Sequence, residues 1–283
     1  MTGIVYKSTG SWYTIKTESG AFLECRIKGK FRMKGIKSTN PIAVGDVVDY
    51  DIENTTDETT GVITAIQDRK NYIVRKSVNL SHQMHIIASN IDVVFLLVTI
   101  NNPPTTTSFI DRFLVTAEAY GIEAVLVFNK IDTFDNPTLD EQLYLQHVYT
   151  EIGYKCLRVS AKDGKGIDGL KALMKDKFSM FSGHSGVGKS TLVNTLEPGL
   201  NLKTKQISES HAQGKHTTTF AEMFDLTNSG SIIDTPGIKE FGLFNITKQE
   251  LSQRLTINES AIQKQIDTLK RLKVIERKGG TRG

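Results

Sequence analysis

Three glycines, a lysine and a serine decide most of what this chain can fold into. Residues 183–190 read Gly183-His184-Ser185-Gly186-Val187-Gly188-Lys189-Ser190, which fits the pattern G-x-x-x-x-G-K-[ST]. An apolar stretch at 177–181 with strand character precedes them, and helical texture begins at Lys189. That context commits the chain to a sheet covered by helices, with a phosphate held at a helix amino terminus. The glycines let backbone N–H groups turn inward toward phosphate oxygens. Lys189 then reaches the β- and γ-phosphates, and the Ser190 hydroxyl takes a place on Mg²⁺. With Ser182 just before it, this loop specifies a nucleoside triphosphate and leaves the base open. A chance Gly-rich turn is the bland alternative, and the strand–helix context disfavours it.

The base is read elsewhere. Asn129-Lys130-Ile131-Asp132 follows the apolar run 124–128. An Asp at the end of a parallel strand can accept hydrogen bonds from N1–H and the exocyclic amine of guanine, and adenine presents neither donor in that arrangement. Ser160-Ala161-Lys162 ends the next apolar run and can offer a backbone amide to the guanine carbonyl oxygen. Each tetrapeptide or tripeptide alone is weak, a solvated turn being the alternative. Both stand where such sheets bind ligands, at the carboxyl ends of strands. Asp234-Thr235-Pro236-Gly237 closes a further strand, 231–234. Asp234 suits the outer Mg²⁺ shell, and the Gly237 N–H can sense a γ-phosphate. Upstream, Gly214-Lys215-His216-Thr217-Thr218-Thr219 fits a first switch, with Thr218 the favoured Mg²⁺ hydroxyl and Thr219 close behind. Ile238 stands where many switches carry the Gln that orients the attacking water. Slow intrinsic turnover follows, with His216 one candidate for help and a solvated loop histidine its equal alternative.

Around these motifs, residues 92–99, 123–128, 155–159, 177–181, 220–226 and 231–234 read as strands. Helices are expected over 108–120, 138–152, 167–174 and from Lys189. Residues 1–77 differ. Short alternating stretches at 3–7, 12–17, 21–27, 47–52 and 61–66, punctuated by glycines, predict a small OB-like β-barrel. Between its third and fourth strands lie Arg26, Lys28, Lys30, Phe31, Arg32 and Lys34, and no acidic residue occurs from Cys25 to Gly45. These are candidate RNA contacts, with Phe31 and Trp12 as stacking groups, against a solvated basic loop. The expected division is therefore a barrel at 1–77, a nucleotide domain at 78–245 and a helical tail at 246–283.

Charge follows the same division. Lys and Arg outnumber Asp and Glu by twelve to nine in 1–77 and by nine to four in 246–283, whereas acids lead by eighteen to fourteen between. Basic ends suit nucleic acid. The most apolar run, 93–100, is too short to span a bilayer, and residues 1–10 lack a signal-peptide layout. A cytoplasmic chain without a membrane partner is expected. Cys25 and Cys156 stand far apart and predict neither a disulfide framework nor a zinc site.

The motif order is the discriminating feature. Guanine-nucleotide switches ordinarily place the phosphate loop first, whereas here the guanine-reading motifs precede it by about fifty residues, as in a circular permutation. With a barrel in front, Asn129-Lys130-Ile131-Asp132, Ser160-Ala161-Lys162, the phosphate loop, the 214–219 run and Asp234-Thr235-Pro236-Gly237 in this order, the chain resembles the circularly permuted, ribosome small-subunit-dependent GTPase A family of bacteria. The resemblance covers about residues 1–245. It implies GTP as substrate with Mg²⁺, binding to the small ribosomal subunit and its rRNA, a late role in subunit maturation, and hydrolysis stimulated by that particle. It stops at the tail. The family continues into a Cys/His-rich zinc segment, but no cysteine follows Asn245 here. Instead Leu251, Leu255, Ile257, Ile262, Ile266, Leu269 and Leu272 have helix–turn–helix spacing, and the tail resembles an incomplete winged-helix module able to contact DNA or protein. A helical pair that merely caps the nucleotide domain is the alternative. Two other functions stay open: a GTP-sensing, nucleic-acid-binding regulator, and a GTP binder with impaired turnover. A monomer is expected.

Overall fold

The computed structural model describes residues 1–27, 41–54, 59–76, 84–200, 221–227 and 229–234. The first five strands are β1 (Thr2–Ser8), β2 (Tyr13–Thr17), β3 (Phe22–Ile27), β4 (Val47–Asn54) and β5 (Thr59–Ile66). They pair in the order β1-β2-β3-β5-β4, and β4 returns to β1, so the sheet closes. β3 and β5 run parallel and the remaining pairs antiparallel. This is the OB-like barrel that the alternation predicts. Inward residues of each strand, among them Val5, Tyr13, Ile15, Cys25, Val48, Tyr50 and Ile63, form its core. Burial pushes the Cys25 thiol up to about 12, so it packs as a small apolar group.

A hairpin not anticipated from the sequence follows, β6 (Tyr72–Lys76) with β7 (Met84–Ser89). The expected boundary between 77 and 78 falls between these two paired strands. Beneath the hairpin lies a buried polar cluster. The Asp46 carboxylate, fully buried, accepts from Arg69 Nε at 2.6 Å, from Arg69 Nη2, from Ser89 Oγ at 2.5 Å and from the Ala43 N–H at 2.8 Å. Gly45, at φ +91°, lets the barrel approach β7 here, because a Cβ would lie 2.1 Å from the Ser89 carbonyl oxygen.

The nucleotide domain contains β8 (Val93–Val98), α1 (Thr107–Tyr120), β9 (Glu123–Phe128), α2 (Asn136–Ile152), β10 (Lys155–Arg158), α3 (Ile167–Met174), β11 (Phe178–Ser182), α4 (Lys189–Leu196), β12 (Glu222–Asp225) and β13 (Ser231–Asp234). All six residues of β8 are buried, as a strand covered on both faces requires. α1 and α2 pack on one face of the sheet through Phe109, Phe113, Leu145 and Tyr149. Leu170, Met174, Leu192 and Leu196 of α3 and α4 pack on the other. Local signals set the helix ends. The Thr106 hydroxyl and the Asp135 carboxylate accept the N–H of Phe109 and Thr138 at two amino termini, and Gly121 and Gly153 end α1 and α2 in left-handed conformation.

The strand order is β10-β9-β8-β11-β13-β12, parallel from β10 to β13, with β12 antiparallel to β13. Strands distant in sequence are thus neighbours, as a circular permutation demands. The sheet does not stop there. Lys7 of β1 pairs antiparallel with Glu222 of β12, which joins barrel and nucleotide sheet into one eleven-stranded sheet. The tail 246–283 lies outside the described residues.

Candidate nucleotide site

Parallel strands end on the same side of a sheet, so the carboxyl ends of β9, β10, β11 and β13 meet at one edge. Asn129 begins the loop after β9, Ser160 lies just beyond β10, Gly183 follows β11, and Asp234 ends β13. The spacing along the chain no longer matters once the strands are adjacent.

Asn129 is the strut of this edge. Its side chain is 1% exposed. Its Nδ2 donates to the Val187 carbonyl of the phosphate loop at 2.8 Å, and its Oδ1 accepts from the Ala161 N–H at 3.3 Å. One amide thereby ties three loops together. Gly188, at φ +97°, is needed for this contact, since a Cβ there would lie 2.5 Å from Asn129 Nδ2. Lys130, in left-handed conformation, donates from Nζ to the carbonyls of Asn102 at 2.6 Å and Gly186 at 2.7 Å. The Asp132 carboxylate accepts from Ser160 Oγ at 2.7 Å, and Ser160 Oγ in turn accepts the Asp163 N–H at 3.0 Å. A cavity of about 250 Å³ opens between them, lined by Asn129, Lys130, Asp132, Ala161, Lys162 and Thr191.

Beside the cavity, the phosphate loop is folded as its glycines permit, with Gly183, Gly186 and Gly188 at φ +141°, +83° and +97°. Lys189 opens α4, and its Nζ donates to the carbonyls of Gly183 and His184, the latter at 2.8 Å. Burial pushes the Lys189 ammonium below its usual range, and the Asp234 carboxylate partly opposes that. The Lys189 ammonium and the Asp234 carboxylate therefore act on each other electrostatically. Ser182 and Val187 are buried, Ser190 is half-buried, and Ser185 and Gly186 face solvent. The ring of His184 lies against Phe109 of α1, centroids 3.9 Å apart and planes at 34°.

Of the residues singled out in the sequence, the structure thus brings together Asn129, Lys130, Asp132, Ser160, Ala161, Lys162, the loop 182–190 and Asp234. His216, Thr217, Thr218, Thr219 and Gly237 lie outside the described residues, as do Lys28, Lys30, Phe31, Arg32 and Lys34. Arg26 is exposed on β3 and paired with Glu53 of β4. Sequence reasoning missed Thr191 and Thr133, which line the cavity, and Phe109, which holds His184. Thr191 was within reach as the residue after Ser190, but Phe109 gives no local sign, because it reads as one more apolar position of an amphipathic helix. Among the described residues no group of three His, Cys, Asp or Glu side chains is placed to hold a metal.

A rotated strand order that still gathers a phosphate loop, an Asn-Lys-x-Asp turn and a Ser-Ala-Lys turn at one edge defines a circularly permuted P-loop GTPase, here continuous with an OB barrel. Comparison with known proteins narrows the class. The family model described as RsgA GTPase matches residues 66–244, and that of the RsgA N-terminal domain matches residues 2–63. The chain belongs to the RsgA GTPase family, whose members are GTP-hydrolysing enzymes. A relative named small ribosomal subunit biogenesis GTPase RsgA, from Flavobacterium psychrophilum, is 74% identical over 252 residues, covering 89% of this chain and 77% of its own length. Its namesake from Flavobacterium johnsoniae is 72% identical over 252 residues, with 89% and 78% covered. The crystal structure of YjeQ from Thermotoga maritima matches with a TM-score of 0.69 at 35% identity, over 90% of this chain and 81% of that one. The circularly permuted GTPase YloQ matches in fold, with a TM-score of 0.62 at 24% identity over 99% of this chain and 96% of that one.

Proposed function

We propose that this chain binds and hydrolyses GTP as a late maturation factor of the small ribosomal subunit, and that the subunit accelerates hydrolysis. The observation that carries the reading is the single cavity shared by Asn129, Asp132, Ala161, Lys162 and the start of α4. Asp132 selects guanine, and the Ala161–Lys162 backbone receives the guanine carbonyl oxygen. The loop 183–190 and Lys189 hold the phosphates, while the names of the relatives, small ribosomal subunit biogenesis GTPases, point to the particle.

Mg²⁺ fits the oxygen donors present. Ser190 offers a hydroxyl and Asp234 a carboxylate close enough to act on Lys189, and magnesium bound with a triphosphate needs few protein ligands because it keeps waters and phosphate oxygens. Thr218 and Gly237 complete the assignment from the sequence pattern. When bound, the ion neutralises charge developing between the β- and γ-phosphates. Ile238 cannot orient the attacking water, so the isolated chain turns over slowly and the partner, or His216, supplies what is missing. The barrel, with Arg26 and the basic run to Lys34, is the rRNA-facing unit. The division 1–77, 78–245 and 246–283 and a monomer working in the cytoplasm complete the reading, with the tail as a contact for DNA or protein. Among the described residues no helix is long and apolar enough to cross a membrane.

The test is GTP turnover with and without purified small subunits. Stimulation of about tenfold or more is expected, a threshold set well below the roughly 10³- to 10⁵-fold that a supplied transition-state arginine gives elsewhere. Intact GTP binding without any stimulation would remove the subunit from the proposal. Base selection has its own test. Asp132→Asn is expected to weaken GTP binding by roughly 10- to 100-fold through loss of charge-assisted hydrogen bonds, and to favour xanthosine triphosphate, whose ring offers an acceptor where guanine has its amine. Competition between the two nucleotides reads this directly, and an unchanged guanine preference would displace Asp132 from its role.

A further inference from the structure

The β12–β13 hairpin belongs to the nucleotide sheet, yet much of its polar bonding reaches into the barrel. Near its turn, the Asp225 carboxylate accepts from Tyr6 Oη at 2.6 Å and from Lys16 Nζ at 2.6 Å, two groups on different barrel strands. Ser231 Oγ, across the hairpin, donates to the same carboxylate at 3.1 Å. At the open end, Lys7 of β1 is both the backbone partner of Glu222 and its ion-pair partner at 3.2 Å. Glu222 is in register with Asp234. A transverse row of three residues, Lys7, Glu222 and Asp234, therefore crosses from the barrel to the carboxylate assigned beside Mg²⁺. The phosphate-loop helix grips the same hairpin from elsewhere, since Glu197 after α4 accepts the N–H and hydroxyl of Thr227 at 2.8 and 2.7 Å.

A surface ion pair alone would be worth little. The Asp225 side chain is 42% exposed, yet it differs from a lone pair because it gathers three donors from three strands, one of them Tyr6, which is 5% exposed. Burial pushes the Asp225 carboxyl up, but the Lys16, Tyr6 and Ser231 donors outweigh it and leave the carboxyl below its usual range. Burial and the Asp225 contact push the Tyr6 phenol up, which keeps it a donor. In the sequence, the two runs suited to sensing a γ-phosphate flank this hairpin: residues 214–219 precede β12 and residues 235–237 follow β13. A unit clamped to the barrel at one strand and joined to both such runs cannot shift without the barrel feeling it.

We propose that Asp225 is a positioning residue which, through Tyr6 and Lys16, yokes the barrel to the β12–β13 hairpin, so that nucleotide state and barrel engagement are energetically coupled. The inference rests on the GTPase reading above. Coupling of this kind is reciprocal: whatever nucleotide does to the barrel, a ligand on the barrel does to nucleotide affinity by the same factor.

Hydrogen exchange on the full chain tests it, with GDP or a non-hydrolysable GTP analogue bound and each affinity measured by titration. In the native chain, exchange over residues 2–17 is expected to differ between the two states by about fivefold or more. Asp225→Asn and Lys16→Met should erase that difference while leaving both nucleotide affinities within about threefold, and Lys16→Arg should restore it. Equal exchange in the two states of the native chain overturns the proposal, as does a difference that persists in Asp225→Asn. General loss of protection across β8 and β9 in both variants would make the cluster architectural only, and would equally overturn it. Failure of either nucleotide to bind the native chain would show in the titration and would bring down the GTPase reading first.

Discussion

Lys189→Ala is expected to lower GTP turnover by roughly 10²- to 10³-fold, the usual loss when a preorganised donor to a developing oxyanion is removed. The reason lies in where the ammonium sits. Its Nζ is held on the carbonyls of Gly183 and His184, inside the loop whose glycines turn backbone N–H groups toward the phosphate position. Burial already disfavours its charge and Asp234 favours it. A triphosphate brings several negative charges into the same partly desolvated space, where the ammonium acts with far more force than it would in water. The side chain is also long, half-buried and bonded to two loop carbonyls, so its removal loosens the loop itself. Single-turnover hydrolysis, with binding of a fluorescent GTP analogue measured in parallel, separates these contributions. Turnover within twofold of the native chain would overturn the phosphate-loop assignment.

The largest stability effect is expected far from the nucleotide. Asp46→Ala should destabilise the chain by about 3–5 kcal/mol, the cost of breaking a buried ion pair by deleting one partner. Asp46 is fully buried and Arg69 is 5% exposed at the side chain. Deletion leaves the guanidinium without its counter-charge, strands the Ala43 N–H and leaves the Ser89 hydroxyl only the Val44 carbonyl at 3.4 Å. The Pro41 carbonyl, which accepts from Arg69 Nη2 at 2.7 Å, does not compensate for the lost charge. Because the cluster joins barrel, hairpin and the entry to β8, the whole chain should respond. Urea unfolding without nucleotide reads this through the midpoint. A change below about 1 kcal/mol would mean that Arg69 finds solvent, and that the pair behaves as an exposed one.

Much of the site was legible in the sequence because its chemistry is local. A phosphate loop needs its glycines within six residues of its lysine, and the turn from Asn129 to Asp132 is a single tetrapeptide after a buried strand. The barrel strands declared themselves by alternation, and β8 and β9 by unbroken apolar runs. What stayed hidden was non-local or irregular. The hairpin of β6 and β7 has a register shift between Ile73 and Val74, which breaks the two-residue period that would have revealed it. Asn129 was readable as part of a base-reading motif, but its grip on Val187 spans 58 positions. Asp225 looked like a polar residue at a strand end, and nothing near it in the chain points to Tyr6 or Lys16. The rotated motif order, by contrast, was plain from the sequence, and the strand order supplies its physical sense: permutation changes which loops are cut, not which strands touch.

The junction at Lys7 and Glu222 has one more consequence. An open sheet ordinarily exposes a lateral rim at each side, with unpaired N–H and C=O groups that invite another chain to dock. Here β12 would be one such rim, but β1 meets it at Lys7 and Glu222 and then curls into a closed cylinder, so the rim is interrupted there. The opposite rim of the same sheet is β10, four residues long, with Lys155 and Arg158 exposed at its two ends. Brevity and charged ends both discourage strand addition at that rim, so the two sides of the sheet are blunted by different means, one by a short charged strand and the other by the barrel.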